Sequence, residues 1–262
     1  MPDLPRYAEL HCLSNFTFLR GASHPEELLA EARRLGYTAL GLTDECSLCG
    51  VVRAHGAAKE HGLKLVIGTE VKFLGGPRLV FLAQDREGYG RLSALITQGR
   101  RRAAKGGYRL ERADLAAGLD HCLALLLPGR RLDELPGLKA EAYWLAGRFP
   151  GRLWIAVELL REGGDGERLE VLSALSRETS VPLVAAGAVH MHVRERRALQ
   201  DTLTAIRLKT TVKAAGYALY PNSERHLRRR EVLARLYPSA LLAETVRIAE
   251  RCRFSLDELR YE

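Results

Sequence analysis

Short apolar runs alternate with segments of helical periodicity over the first 210 residues. Residues 39–42 and 122–127 contain no charged side chain, which is typical of strands buried on both faces of a parallel sheet. Elsewhere the apolar side chains recur at helical spacing, and Leu28, Leu29 and Ala32 fall on one face of a helix. The pattern therefore predicts repeated strand and helix units.

These two periodicities divide most of the chain into predicted elements. Strands are expected at residues 7–10, 39–42, 65–67, 79–83, 122–127, 153–159 and 183–186. Helices are expected at residues 25–35, 47–61, 89–102, 138–149, 167–179 and 195–209, followed by two more at 225–237 and 238–252. Ser23 and Glu26 have the spacing of a capping box at the first helix, and Gly75, Gly76 and Pro77 predict a tight turn.

The order of these elements determines the expected fold class. Strands that alternate with helices of about 10 to 15 residues form a mostly parallel sheet through right-handed crossovers. Such units either close into a barrel or wind into an open sheet, and their number here favours an α/β barrel over residues 1–210. The predicted helices in residues 211–262 are expected to pack outside the barrel, as a helical extension of the same domain.

Composition narrows the class of protein further. Of the 262 residues, 47% are hydrophobic and 27% are charged, a globular composition that excludes a disordered or collagen-like chain. No apolar run approaches the roughly 20 residues of a membrane-spanning helix, and the N-terminus lacks the basic-then-apolar order of a signal peptide. We therefore expect a cytoplasmic protein without membrane contact, whose five cysteines are reduced thiols.

Polar side chains follow the predicted strands at the end where α/β barrels bind their ligands. Imidazole and carboxylate groups that meet there are suitable ligands for Zn²⁺, Mn²⁺ or Mg²⁺. Residues at such positions also serve as helix caps and loop groups, and a turn-ordering role is the expectation for Asp44. The candidates are His11, Asp44, Glu45, Glu70, Glu158, Glu162, His190 and His192.

The chain carries 40 Lys and Arg against 32 Asp and Glu, and its net charge of +8 suits DNA or an acidic partner. The candidate contacts for nucleic acid or a partner protein are Arg100, Arg101, Arg102 and Lys105. A solvated arginine-rich face is the alternative interpretation, because aromatic residues make up only 6% of the chain and form no stacking platform. A phosphate-binding P-loop motif is absent from the sequence.

Several stretches of the sequence resemble a known family. Residues 9–23 read ELHCLSNFTFLRGAS and residues 39–52 read ALGLTDECSLCGVV, and both are similar to the PHP (polymerase and histidinol phosphatase) domain that begins bacterial C-family DNA polymerases. Residues 188–193 (AVHMHV) and 199–206 (LQDTLTAI) resemble the error-prone, damage-inducible branch, the ImuC type. The resemblance covers nearly the whole chain and implies a distorted (β/α)7 barrel, with a polymerase core expected beyond residue 262.

The resemblance also implies a metal site at the barrel mouth, from which this sequence departs at most positions. His11, Glu70 and His190 match family ligands, and Glu45 and Glu162 stand where the family has other ligands. We expect a vestigial site at His11, Glu45, Glu70 and His190, with no metal in this domain, or with Zn²⁺ or Mn²⁺ if any is bound.

Four further positions replace family ligands with side chains that cannot bind a cation. Leu13 and Ala188 offer no donor atom, and Arg20 and Arg78 would bring positive charge into the mouth. We expect the two arginines to pair with the glutamates of the mouth and to hold it together in place of a metal.

Three functions remain open. The resemblance favours a catalytically degenerate structural and interaction domain of an error-prone, translesion DNA polymerase, a nucleotidyltransferase of DNA repair and replication that requires Mg²⁺. The alternatives are an active metal-dependent phosphoesterase, either a 3′–5′ exonuclease or a phosphatase, and a separate nucleic-acid-binding module. The expected partners are DNA, through the parent polymerase, and other translesion or replisome proteins.

Overall fold

The computed structural model describes residues 4–116, 118–129 and 137–259. In this part of the chain, seven strands form one sheet in which each strand pairs with its neighbours in sequence. The strands are Ala8–Cys12 (β1), Ala39–Leu42 (β2), Lys64–Lys72 (β3), Arg78–Ala83 (β4), Cys122–Leu127 (β5), Leu153–Val157 (β6) and Leu183–Ala185 (β7). The β3–β4 and β4–β5 pairs are antiparallel, and the other four pairs are parallel.

Helices lie between most of the strands and follow the last one. They are Pro25–Arg34 (α1), Val51–His61 (α2), Arg86–Arg101 (α3), Leu138–Ala146 (α4), Asp165–Thr179 (α5), Arg197–Arg207 (α6), Val212–Ala215 (α7), Arg230–Leu236 (α8) and Ser239–Arg251 (α9). The predicted α/β fold is confirmed. The β3–β4 hairpin is the extended excursion predicted on either side of Gly75 and Gly76.

The strands place alternate side chains on the two faces of the curled sheet. In β5, Leu123 and Leu125 pack in the barrel interior with Val80 and Trp154, whereas Leu126 belongs to the cluster between sheet and helices. Because both faces are buried, the strands need apolar side chains on both, which explains their uninterrupted apolar runs.

The carboxyl end of β1 meets the segment that follows β7. The Leu13 N–H donates to the Val189 carbonyl at 2.8 Å, and the Val189 N–H donates to the His11 carbonyl at 2.9 Å. Beside this seam, the buried Glu9 carboxylate accepts hydrogen bonds from the N–H groups of His11 and Gly187, both at 3.0 Å. A β-bulge in β1 just after Glu9 shifts the strand register at this point.

The helix α9 covers the amino-terminal end of the barrel. Ile248 and Ala249 of α9, with Cys252 just beyond it, belong to the same buried cluster as the interior side chains. The hydroxyl of Thr245 accepts a hydrogen bond from the N–H of Ala8 at 3.0 Å. The helix α9 thus covers the apolar floor of the barrel, and the packing of the whole segment after residue 210 on the outside of the barrel stays a prediction.

Two predicted helix starts are wrong. The second helix begins at Val51 rather than at residue 47, after a turn in which Cys46 has a φ of 44°. The helix predicted from residue 225 begins at Arg230, because His226 forms a bridge with Met191 beside the mouth of the barrel instead of a helical turn. The other helix boundaries agree with the prediction within three residues.

The predicted capping box at the first helix is wrong as well. Ser23 is not the cap, because its hydroxyl bonds to the Nδ1 and the backbone N–H of His192, both at 2.8 Å. The carboxylate of Glu27, rather than that of Glu26, accepts a hydrogen bond from the N–H of His24 at 2.9 Å. A contact between distant parts of the chain therefore displaces the local capping pattern.

Contacts across residue 210 join the two predicted parts of the chain. The His190 N–H donates to the Arg225 carbonyl at 2.9 Å, and Met191 forms a parallel bridge with His226. The division at residue 210 stays a prediction. All five cysteines carry free thiols, and within the described ranges no helix is long and apolar enough to cross a membrane.

Candidate functional site

A buried histidine between two carboxylates forms the centre of the barrel mouth, which lies at the carboxyl ends of the strands. His11 comes from β1, Glu70 from β3 and Glu158 directly after β6, and all three are buried. The Nε2 of His11 lies 2.8 Å from Glu70 Oε2, and its Nδ1 lies 3.2 Å from Glu158 Oε1. Since each ring nitrogen faces a carboxylate oxygen, both donate, and the imidazole is protonated.

These contacts change the pKa of all three groups. Burial alone lowers the pKa of His11, but the hydrogen bonds and charges of Glu158 and Glu70 outweigh it and raise that pKa to about 9. Burial raises the pKa of each carboxyl group, yet the bond from His11 lowers the pKa of Glu158 to about 2. His11 and the nearby arginines hold the pKa of Glu70 well below its usual range.

Two arginines extend this cluster. The guanidinium of Arg20 pairs with the Glu45 carboxylate and also lies 3.3 Å from Glu70 Oε1. Arg78 Nη1 lies 3.8 Å from the same oxygen of Glu70. Burial lowers the pKa of Arg20, but the charges of Glu70 and Glu45 outweigh it and raise that pKa. Both arginines therefore form the ion pairs that the sequence predicts.

Arg225 is a mouth residue that the sequence interpretation missed. It is buried, its Nη2 lies 3.9 Å from Glu162 Oε1, and its guanidinium stacks 4.2 Å from the centre of the Tyr220 ring. The sequence predicts a helix here, so no local pattern places this side chain at the barrel. Only a contact of the folded chain, the bridge between Met191 and His226 after β7, brings this segment to the mouth.

His190 also lies in the mouth, but its contacts differ from those of His11. Its Nδ1 lies 3.2 Å from Gln200 Nε2, and its ring meets Tyr220 edge-on at 5.4 Å. Burial, followed by the positive charges of Arg225 and Arg20, lowers the pKa of His190 well below its usual value. His190 is therefore neutral beside a protonated His11.

Glu45 lies at the rim of the mouth and is fixed from two sides. Besides the Arg20 contact, one carboxylate oxygen accepts a hydrogen bond from the Tyr108 hydroxyl at 2.8 Å. The backbone carbonyls of Glu45 and Cys46 accept hydrogen bonds from Arg100, at 3.2 and 3.1 Å. Arg100, predicted as a contact for nucleic acid or a partner, thus supports the loop that carries Glu45.

The other members of that predicted basic cluster lie farther from the mouth. Arg102 pairs with Asp114 at 2.8 Å, whereas Arg101 and Lys105 are exposed. Arg100 and Arg102 therefore make contacts within the domain, whereas Arg101 and Lys105 are exposed to solvent.

Asp44 has the structural role that the sequence predicts. Its Oδ1 accepts hydrogen bonds from the Ser14 N–H at 2.8 Å and from the Thr17 hydroxyl at 2.7 Å, and its Oδ2 accepts one from the Ser14 hydroxyl at 2.8 Å. Asp44 thereby orders the loop after β1, which carries Arg20 into the mouth.

The mouth does not suit a divalent cation. The Arg20 guanidinium lies against the carboxylates of Glu45 and Glu70 that would serve as ligands, and a cation would also have to displace a proton from His11. Within the described ranges, no three His, Cys, Asp or Glu side chains are arranged to hold a metal ion. The arrangement instead holds positive and negative side chains in contact.

Comparison with known families agrees with this fold. Residues 9–142, just over half of the chain, match the family described as PHP domain. The chain belongs to the PHP domain family. The matched part of this PHP domain contains β2 to β5, all of β1 except Ala8, and five mouth residues, His11, Arg20, Glu45, Glu70 and Arg78.

Two curated relatives match nearly the whole of this PHP domain. The error-prone DNA polymerase of Dechloromonas aromatica is 61% identical over 265 residues, which cover 99% of this chain and 25% of the relative. That of Methylococcus capsulatus is 63% identical over 257 residues, which cover 98% and 24%. The chain thus spans about a quarter of the length of these relatives.

Two solved structures share the fold of this PHP domain at low identity. A protein assigned as a metal-dependent phosphoesterase from Bifidobacterium adolescentis has a TM-score of 0.51 and 15% identity, over 72% of this chain and 89% of that one. An amidohydrolase from Chromobacterium violaceum has a TM-score of 0.55 and 14% identity, over 71% and 88%. At these identities, the similarity establishes the fold and no shared activity.

Proposed function

We propose that this chain is the PHP domain of an error-prone DNA polymerase of the bacterial C family, the ImuC type, and that it has a structural and interaction role without phosphoesterase activity. The parent protein would be a cytoplasmic DNA-directed DNA polymerase that extends DNA past damage during repair and uses Mg²⁺. The high identity to relatives named error-prone DNA polymerase supports this proposal.

The observation that carries the proposal is the placement of cationic side chains among the carboxylates of the mouth. Metal-dependent hydrolysis requires a cation that holds and activates a water molecule. Here Arg20 contacts Glu45 and Glu70, and the two ring nitrogens of His11 face Glu70 and Glu158. The carboxylate oxygens and imidazole nitrogens in these contacts are the atoms that a catalytic cation would need as ligands.

The same contacts support a structural role. His11 joins β1 to β3 and to the segment after β6, and Arg20 joins the loop after β1 to the loop after β2. These cross-links hold the carboxyl ends of distant strands at fixed positions, as a bound metal would. A domain built in this way provides a rigid support for DNA-bound polymerase and for translesion or replisome partners.

Metal analysis and two activity assays on the full-length polymerase test this proposal. The protein is purified without a His tag or chelator, and Zn and Mn are measured per polypeptide. The same sample is assayed for hydrolysis of a generic phosphodiester and for primer extension over a damaged template with Mg²⁺. We expect primer extension, metal far below one ion per chain at the PHP domain, and no hydrolysis.

Each opposite result contradicts a separate part of the proposal. Stoichiometric Zn or Mn with hydrolysis that is lost in His11→Gln favours the phosphoesterase alternative. Absence of primer extension contradicts the polymerase assignment. The matched control is Glu87→Gln, which also neutralises a glutamate but at the surface, where Glu87 pairs with Arg91. It should leave metal content, phosphodiester hydrolysis and primer extension unchanged.

A further inference from the structure

The helix α6 turns its polar side to the barrel and its apolar side to solvent. Gln200 and Thr204 are buried, with Gln200 only 1% exposed. Leu199 is 39% exposed and Ile206 is 55% exposed, seven positions later on the same face of the helix. A surface helix of a globular protein normally has the opposite arrangement. The apolar side of α6 is therefore suited to a contact outside the described part of the chain.

Further exposed apolar side chains follow α6 along the chain. Leu208, Val212 and Tyr217 follow in the next turns, and all three are exposed. We call Leu199, Ile206, Leu208, Val212 and Tyr217 together the α6–α7 face. Large exposed apolar side chains that are grouped in one short segment in this way are typical of interaction sites in folded proteins.

The backbone of this segment is well fixed. The Lys209 N–H donates to the Ile206 carbonyl at 3.0 Å, and the Thr210 N–H donates to the Ala205 carbonyl at 3.0 Å. The Thr211 hydroxyl accepts a hydrogen bond from the Ala214 N–H at 3.2 Å and caps α7. The exposed apolar side chains are thus presented on a defined surface, which lowers the entropic cost of binding.

The positive charge around the α6–α7 face favours a partner that carries carboxylates. Arg207, Lys209 and Lys213 lie in this segment, and the nearest carboxylate along the chain, that of Asp201, already pairs with Arg197 at 2.8 Å. Interfaces combine an apolar centre with a polar rim of complementary charge. A protein surface with apolar side chains at its centre and carboxylates around them fits this arrangement.

Two other occupants fit less well. In a symmetric dimer this face would meet its own copy, and Arg207, Lys209 and Lys213 would then face identical cations without an acidic group between them. DNA phosphates would pair with these cations, but they would leave Ile206 and Leu208 exposed to water.

We propose that the α6–α7 face binds an acidic, apolar-centred surface of the remainder of the same polymerase polypeptide. This inference rests on the proposed function, because the partner is the remaining three-quarters or so of the length found in the relatives. On the buried side of α6, Gln200 Nε2 donates to the Arg20 carbonyl at 2.9 Å. Docking at this face therefore fixes the helix that supports the mouth.

Thiol labelling of the full-length polymerase tests whether the face is covered. In a Cys49→Ser background, which removes the exposed native thiol of this domain, Ile206→Cys and Leu208→Cys are compared with Val52→Cys. Val52 lies on α2 and is 71% exposed, so it serves as the uncovered control. Maleimide labelling at each position is followed by peptide mass spectrometry. We expect positions 206 and 208 to react at least about tenfold more slowly than position 52.

Carbodiimide cross-linking identifies the occupant. The reagent joins lysine amines directly to carboxylates, so we expect Lys209 and Lys213 to cross-link to Asp or Glu beyond residue 262 of the same molecule. The exposed Lys105 is the control lysine. Labelling at 206 as fast as at 52 overturns the proposal, as do cross-links only between two copies, or protection that appears only with added DNA or anionic vesicles. Primer extension on the same samples reports separately on the polymerase assignment.

Discussion

The imidazole Nε2 of His11 lies 2.8 Å from Oε2 of Glu70, and both side chains are buried. The contact joins β1 to β3 across the mouth of the barrel. In a metal centre, two such residues bind the same cation with their lone pairs. Here the imidazole donates a hydrogen bond to the carboxylate, so the two side chains hold the strands together directly.

Removing the negative charge of Glu70 should destabilise the domain. In Glu70→Gln, His11, Arg20 and Arg78 lose the carboxylate that they share, and buried positive charge is left without compensation. We expect a loss of about 3–5 kcal/mol in the free energy of unfolding, measured by urea denaturation in the presence of EDTA. Glu87→Gln, which breaks the exposed pairs with Arg91 and His121, should cost far less. An equal effect of the two substitutions would refute the ion-paired mouth.

The stability of the domain should decrease as the pH rises above neutral. The pKa of folded His11 is about 9, against an ordinary value of 6.5. Its contribution is therefore complete below pH 6.5 and is lost as the pH rises through about 9. Urea denaturation between pH 6 and pH 10 measures this loss. His11→Asn should show a flatter profile over the same range, and parallel profiles for the two proteins would contradict the protonated state.

The carboxylates of the mouth should produce the opposite dependence in acid. The pKa of folded Glu158 is about 2, against an ordinary value of 4.5. Its contribution is therefore complete above pH 4.5 and is lost as the pH falls through about 2. The acid unfolding midpoint, followed by circular dichroism, should move to higher pH in Glu158→Gln. A midpoint that does not move would contradict the pairing of Glu158 with His11.

Rebuilding the missing ligands should restore some metal affinity. Leu13→His, Arg20→His and Ala188→Asp together add donor atoms and remove the cation that contacts Glu45 and Glu70. Ala188 has a φ of 46°, a conformation that Asp tolerates better than most residues. We expect the triple variant to bind Mn²⁺ or Zn²⁺ at least about tenfold more tightly than the wild type by calorimetry. Equal affinities would show that the mouth has changed shape as well as composition.

Two glycine substitutions should have opposite effects on stability. A Cβ at Gly68, two residues before Glu70 on β3, would overlap the carbonyl oxygen of Phe81 on β4. Gly68→Ala should therefore cost about 1–3 kcal/mol in thermal or urea unfolding. Gly56 lies inside α2 with open space around its Cβ position, and Gly56→Ala should stabilise by about 0.5–1 kcal/mol. A neutral Gly68→Ala would show that the two strands separate easily at this point.

The sequence by itself determined the positions of the strands, the α/β fold class and the family. Runs such as residues 122–127 specify buried strands through local periodicity, and the alternation of strands and helices restricts the topology. The turn-ordering role of Asp44 was also predictable, because its partners lie in the adjoining loop of the barrel. The exchange of metal ligands for Arg20 and Arg78 already predicted ion pairs.

Only the tertiary structure decided which charges meet and in which protonation state. His11 and Glu158 are separated by 147 residues, and Arg225 lies in a segment that local periodicity assigned to a helix. The pKa of a side chain depends on its burial and on the charges around it, and no local pattern contains either quantity. The sequence also could not predict which side of α6 is exposed. That depends on the packing of its polar side, with Gln200 and Thr204, against the barrel.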